Sequence, residues 1–171
     1  VKRSVCGLLL CAALVASAAA DTLMQFKGNL VVPVCTVNNN AQVTVDFGDI
    51  EIQTLVTSNT PYAMQSSVIP IVCPYVSGKP MLTVTASSVY NAAQGILQTS
   101  KFSEGLVVFL RQKDSTKILP IGTPTLVTDS VTLNGNVGTL TLNAGVGTVG
   151  DSSKLTAGPF TASATLQVQY Q

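Results

Sequence analysis

Apolar side chains recur at every second position in short runs along most of the chain. Val43, Val45 and Phe47 alternate with polar residues up to a Gly48-Asp49 break. Ile69, Ile71 and Cys73 alternate into Pro74, and Leu82, Val84 and Ala86 form another run. Gly105 to Arg111 is a continuous apolar stretch, suited to a strand buried on both faces. Leu126 to Leu133 and Gly138 to Ala144 are separated by Asn134-Gly135, a tight-turn signal. A last strand is predicted from about Pro159 to Tyr170. Ser87 to Gln98 is the one stretch that could hold a helical turn. A period of two, cut by Gly, Asn, Ser and Pro, predicts an all-β chain, and strands at this spacing predict a β-sandwich. No linker or charge block divides it.

The two ends carry the sharpest alternation. Met24, Phe26, Gly28, Leu30, Val32 and Val34 occupy every second position, with Gln25, Lys27, Asn29, Val31 and Pro33 between them. An extended backbone sends these two sets to opposite faces. An ordinary first strand is one explanation. The glycine in the apolar row argues against it, since glycine weakens a strand unless something approaches closely. At the other end Gly158, Phe160, Ala162, Ala164, Leu166, Val168 and Tyr170 alternate with polar residues almost to Gln171. That apolar face needs a cover.

Composition narrows the function. Lys2 and Arg3, an apolar run from Val5 to Val15 and then Ala18-Ala19-Ala20 read as a signal peptide over residues 1–20. Past it stand seven basic and eight acidic residues, with no run of either sign, so nothing offers nucleic acid a basic stripe. Charged residues make up 10% of the chain, well below the usual quarter, which suggests a surface that meets other protein. The chain has no histidine, which excludes Ser-His-Asp and Cys-His catalysis. No phosphate-binding or dinucleotide motif occurs, and no cofactor or small-molecule substrate is expected. Asp46, Asp49 and Glu51 form the only acidic cluster and read as a solvated turn. Cys35 and Cys73, the two cysteines outside the leader, read as one disulfide in an exported chain; a zinc site would need further Cys or His ligands.

In these features the sequence resembles the pilin subunits of chaperone–usher pili. The residues that carry the likeness are the alternating N-terminal segment with Gly28, the Cys35 and Cys73 pair, the Phe47-Gly48-Asp49 turn, Gly158 fourteenth from the end, and penultimate Tyr170. Phe26-Lys27-Gly28-Asn29-Leu30 and Val32-Pro33-Val34-Cys35-Thr36-Val37 are similar to minor pilins of the P-pilus tip fibrillum.

The resemblance implies an incomplete immunoglobulin-like sandwich lacking its last strand. Residues 21–34 would be a donor strand, with Met24, Phe26, Gly28, Leu30, Val32 and Val34 facing a neighbour's groove. Residues 35–171 would be the pilin domain. Gly158, Phe160, Ala162, Ala164, Leu166, Val168 and Tyr170 would wall its own groove, and the carboxylate of Gln171 would be held by a periplasmic chaperone. Implied partners are that chaperone, an outer-membrane usher and neighbouring pilins, in a fimbria that supports bacterial surface adhesion. An adhesive minor subunit, or an exported β-sandwich binding module, is the alternative. A self-contained module should fold alone, and a pilin should not.

Overall fold

The computed structural model describes residues 22–171, so the expected leader, with Cys6 and Cys11, lies outside the described residues. The chain divides into two units, Val1–Leu30 and Val31–Gln171. In the first, residues 22–30 run without helix or strand.

The second unit holds ten strands: β1 Thr36–Val37, β2 Tyr62–Val72, β3 Pro80–Thr85, β4 Val89–Asn91, β5 Ile96–Gln98, β6 Leu106–Gln112, β7 Thr125–Leu126, β8 Val131–Asn134, β9 Val137–Thr148 and β10 Thr165–Tyr170. They form two sheets. One runs β1-β2-β9-β6-β5-β4, with β8 also paired to β9; the other runs β10-β3-β7. Every paired neighbour is antiparallel. This is the expected all-β, immunoglobulin-like sandwich.

The alternation read from the sequence aims one row of each strand inward. Ile69 and Ile71 of β2, Leu140, Leu142 and Val146 of β9, Leu106 and Val108 of β6, Leu82 and Val84 of β3, and Val168 of β10 join one buried cluster. The Asn134-Gly135 signal is the β8–β9 turn, with Asn134 opposite Val137 and Gly135 at a φ of 62°.

Four expectations need correction. Ser87 to Gln98 is not helical; it folds as the β4–β5 hairpin, Val89 opposite Leu97, joined by one turn in which the Gly95 amide donates to the Ala92 carbonyl at 3.1 Å. Leu126 to Leu133 is not one strand. Leu126 pairs with Met81 in one sheet and Val131 with Leu140 in the other, so the chain must break to cross between layers. The last strand does not begin at Pro159: its ladder starts at Thr165. Val43 to Phe47 packs half-buried on the core but joins no ladder. The last two share a cause, which the cleft described below supplies.

Cys35 and Cys73 are joined in a disulfide, with Cα atoms 4.1 Å apart. It lies just before β1 and just after β2, which pair as Thr36 with Val72. The bond therefore clamps a strand only two residues long to the sheet. The cysteines are 38 residues apart, and closing such a loop is worth about 3–4 kcal/mol in the chain-entropy picture. Replacing both cysteines by serine should lower the unfolding free energy by about 3–4 kcal/mol, and the denaturant midpoint with it. Denaturant titration checks this, and an unchanged midpoint would mean that β1 needs no clamp.

Candidate functional site

An open cleft of about 1390 Å³ runs along the second unit. One wall is Asn40 to Ile50, with Ile52 and Leu55. The other is Leu155 to Leu166. Its floor is core: Ile69, Leu97, Leu106, Val108, Leu119, Leu142, Ala144 and Val146 all line it. In a closed sandwich such residues would lie beneath another strand.

Neither wall is hydrogen-bonded across the cleft as a β-ladder. Val43, Val45 and Phe47 face inward by alternation, yet the segment has no strand partner. The opposite wall is anchored only from behind. The Ser100 amide donates to the Thr161 carbonyl at 2.8 Å, and the Thr161 amide donates to the Ser100 Oγ at 3.1 Å. A strand edge with free backbone groups above an apolar floor is a template for another strand. This explains why Val43–Phe47 and Pro159–Ala164 read as strands in the sequence and are ladderless in the fold. Phe47 and Phe160 approach from opposite walls, with ring centroids 6.2 Å apart.

The cleft ends where the chain's own start covers β10. Val34 forms an antiparallel bridge with Gln169, and the Cys35 amide donates to the Val168 carbonyl at 2.7 Å. Gly158, Phe160, Ala162, Ala164 and Leu166 line the cleft. Val168 and Tyr170 do not; they are buried in the closed part of the sandwich. Gln171 pairs through its backbone with Lys79 in both directions, at 2.8 and 3.1 Å.

One polar cluster fixes the start of the second wall, and the sequence does not show it because Thr156 lies more than fifty positions from Lys101 and Glu104. Lys101 Nζ lies 3.1 Å from Glu104 Oε1 and donates to the Thr156 carbonyl at 2.8 Å. Glu104 Oε2 accepts from the Thr156 amide at 2.7 Å. That amide, then the Lys101 ammonium, hold the Glu104 carboxyl below the ordinary glutamate range. A depressed carboxylate stabilises the fold above its unfolded pKa, and the contribution fades as pH falls through the lower folded value. The protection factor of the Thr156 amide, its exchange rate corrected for the intrinsic pH dependence, should therefore fall on acidification through that window, and Glu104→Gln should remove that change. Hydrogen exchange monitored by NMR checks it; an unchanged profile in the variant would assign the effect elsewhere.

In the first unit, the alternating segment is exposed where it is apolar. Phe26 is 83% and Met24 68% exposed, and Leu23 and Leu30 are more so. Around Gly28 a side chain would meet no atom within 4 Å, and its φ is outside the left-handed region. Neither its own packing nor its backbone conformation calls for glycine there.

A family model described as fimbrial protein matches residues 24–171. The chain belongs to the fimbrial protein family. It is 35% identical over 158 residues to the fimbrial protein PrsE of Escherichia coli, covering 89% of this chain and 86% of that one. It is 29% identical over 100 residues to the fimbrial adapter PapF of the same organism, covering 58% of each. Among solved structures its fold is similar to the P pilus rod subunit PapA, with a TM-score of 0.57 at 21% identity, covering 86% of this chain and 99% of that one. It is also similar to the P pilus adaptor subunit PapF, with a TM-score of 0.55 at 23% identity, covering 84% and 100%.

The fimbrial chain is thus a structural subunit of the chaperone–usher system, exported to the cell surface and not an enzyme. Such subunits assemble by donor-strand exchange, and the kinship implies chaperone, usher and neighbouring subunits as partners.

Proposed function

We propose that Met24 to Val32 is the donor strand this subunit lends, and that the cleft between residues 40–50 and 155–166 is the acceptor for a neighbour's equivalent strand. The pilin domain on this reading begins at the Val34–Gln169 bridge. The observation that carries the proposal is a cleft floored by core and walled by two segments, 41–47 and 158–164, that join no ladder, in a chain whose exposed residues 24–32 alternate in strand register. Val34 stands apart from the earlier members of its row, because its backbone is engaged with Gln169 of its own chain.

Burying Met24, Phe26, Leu30 and Val32 at about 1.5–3 kcal/mol each gives roughly 6–12 kcal/mol gross. Main-chain hydrogen bonds to the open walls add about 0.5–1.5 kcal/mol each. Ordering the strand offsets part of this. Before exchange, the two unpaired wall edges above that apolar floor are an aggregation hazard, which is what a chaperone strand in the cleft would relieve.

A peptide spanning Met24 to Val34 tests the acceptor. Added to the protein, it should slow amide exchange in Val43–Phe47 and Gly158–Ala164, the two walls it would join. Exchange rates that ignore the peptide, and ignore a neighbouring subunit's peptide as well, would overturn the assignment.

A further inference from the structure

The strands next to the point at which the donor segment leaves the domain, and the loop that follows Cys73, carry exposed apolar side chains. Val34 is held by its bridge to Gln169, and Thr36 next along that row pairs with Val72. Val72 in turn stands opposite Val137, and the Cys73 amide donates to the Asn136 carbonyl at 2.8 Å. Ile71 and Cys73 point inward, so Val72 and Val137 share the outer face of the sheet. Two residues past Cys73, the loop presents Tyr75 and Val76. Val137 is 58% exposed, Tyr75 43% and Val76 41%. Isolated exposed apolar residues need no explanation, but a contiguous group marks a contact.

The length of the tether says what covers them. On the donor-strand reading, Val32 lies in a neighbour's groove while Val34 is fixed to its own β10. Only Pro33 separates them. At about 3.3 Å per residue, the neighbour's groove begins about 7 Å from Val34. Its rim must then abut the end of the sandwich that carries Val72, Tyr75, Val76 and Val137. We infer that these four side chains form a second contact, a collar that meets the rim of the accepting subunit and sets the angle between successive subunits. The donor strand by itself would be a two-residue hinge; the collar makes the joint stiff.

This inference rests on the donor-strand assignment, and the test separates the two. Full-length chains carrying Ser115→Cys, in an exposed turn, can be spin-labelled after assembly into two-copy complexes. Persistence of the complex in denaturing gels reports donor insertion; the label-to-label distance distribution reports the joint. Tyr75→Ser, Val76→Ser and Val137→Ser combined should leave complex yield unchanged and broaden the distance distribution at least twofold. All three sites are exposed, and the melting temperature of each chain confirms that folding is kept. Intact complexes with the same distribution in parent and variant would overturn the collar alone. Failure of the parent chains to form a complex either with one another or with a neighbouring subunit would overturn the donor assignment and the collar with it.

Discussion

A second copy of Met24 to Val34, joined after Gln171 through a flexible linker, should convert this subunit into a stable monomer that folds without a chaperone. The copy would lie in the cleft of its own chain, where Leu97, Leu106, Val108 and Leu142 line the floor. It would also give the backbones of residues 41–47 and 158–164 the ladder partner that they lack. A net gain of about 5 kcal/mol, after strand ordering, raises the midpoint of a domain this size by about 10–20 °C. Thermal melts of the fusion and the parent measure it. The companion variant lacks residues 21–32. It should still fold with a chaperone strand in its cleft, since Val34 and Cys35 keep their contacts to β10. An ordinary first strand predicts the reverse: the deletion should unfold the domain, and the added copy should do nothing. A neighbour's donor segment is the control for register. A fusion that melts with the parent, whichever segment it carries, would show that the cleft is not an acceptor.

Gly28→Leu should abolish donation while leaving the subunit's own fold untouched. The structure removes two ordinary reasons for a glycine: a side chain there would meet nothing within 4 Å, and φ is not left-handed. What remains is a requirement imposed by the surface that receives the strand. Overpacking a closed site costs about 1–3 kcal/mol, roughly a 5- to 150-fold loss per junction, and a polymer multiplies that loss over every junction. The melting temperature of the donor-complemented monomer should move by less than about 1 °C, because exposed substitutions are nearly neutral. Fimbrial length by electron microscopy should collapse. Gly28→Ala should fall between the two. Wild-type length in the leucine variant would place the narrow point of the groove at another residue of the segment.

Strand content was legible in the sequence because the pleat repeats every two residues, and a half-buried strand writes that period directly. Ile69 and Ile71, the Gly105–Arg111 run and the Asn134-Gly135 turn all lie where alternation and turn chemistry put them. The cysteine pair was legible because an exported chain without histidine leaves two thiols one simple use. The alternating row at residues 24–34 was legible for the same reason as the strands, with one difference: Phe26 and Leu30 pattern like core residues but stand exposed.

Partnership is what alternation does not encode. A strand's apolar row looks the same whether its backbone pairs with a neighbour or with nothing. Val43–Phe47 and Pro159–Ala164 therefore read as ordinary strands, and only the fold shows that they face each other across an open cleft. Val34 and Val32 belong to one row in the sequence. The tertiary structure separates them, because Val34 meets Gln169 at a distance of 135 positions along the chain. The Lys101–Glu104–Thr156 cluster was invisible for that reason too. Local pattern reports which face of a segment is apolar; chain closure over long separations decides what that face meets.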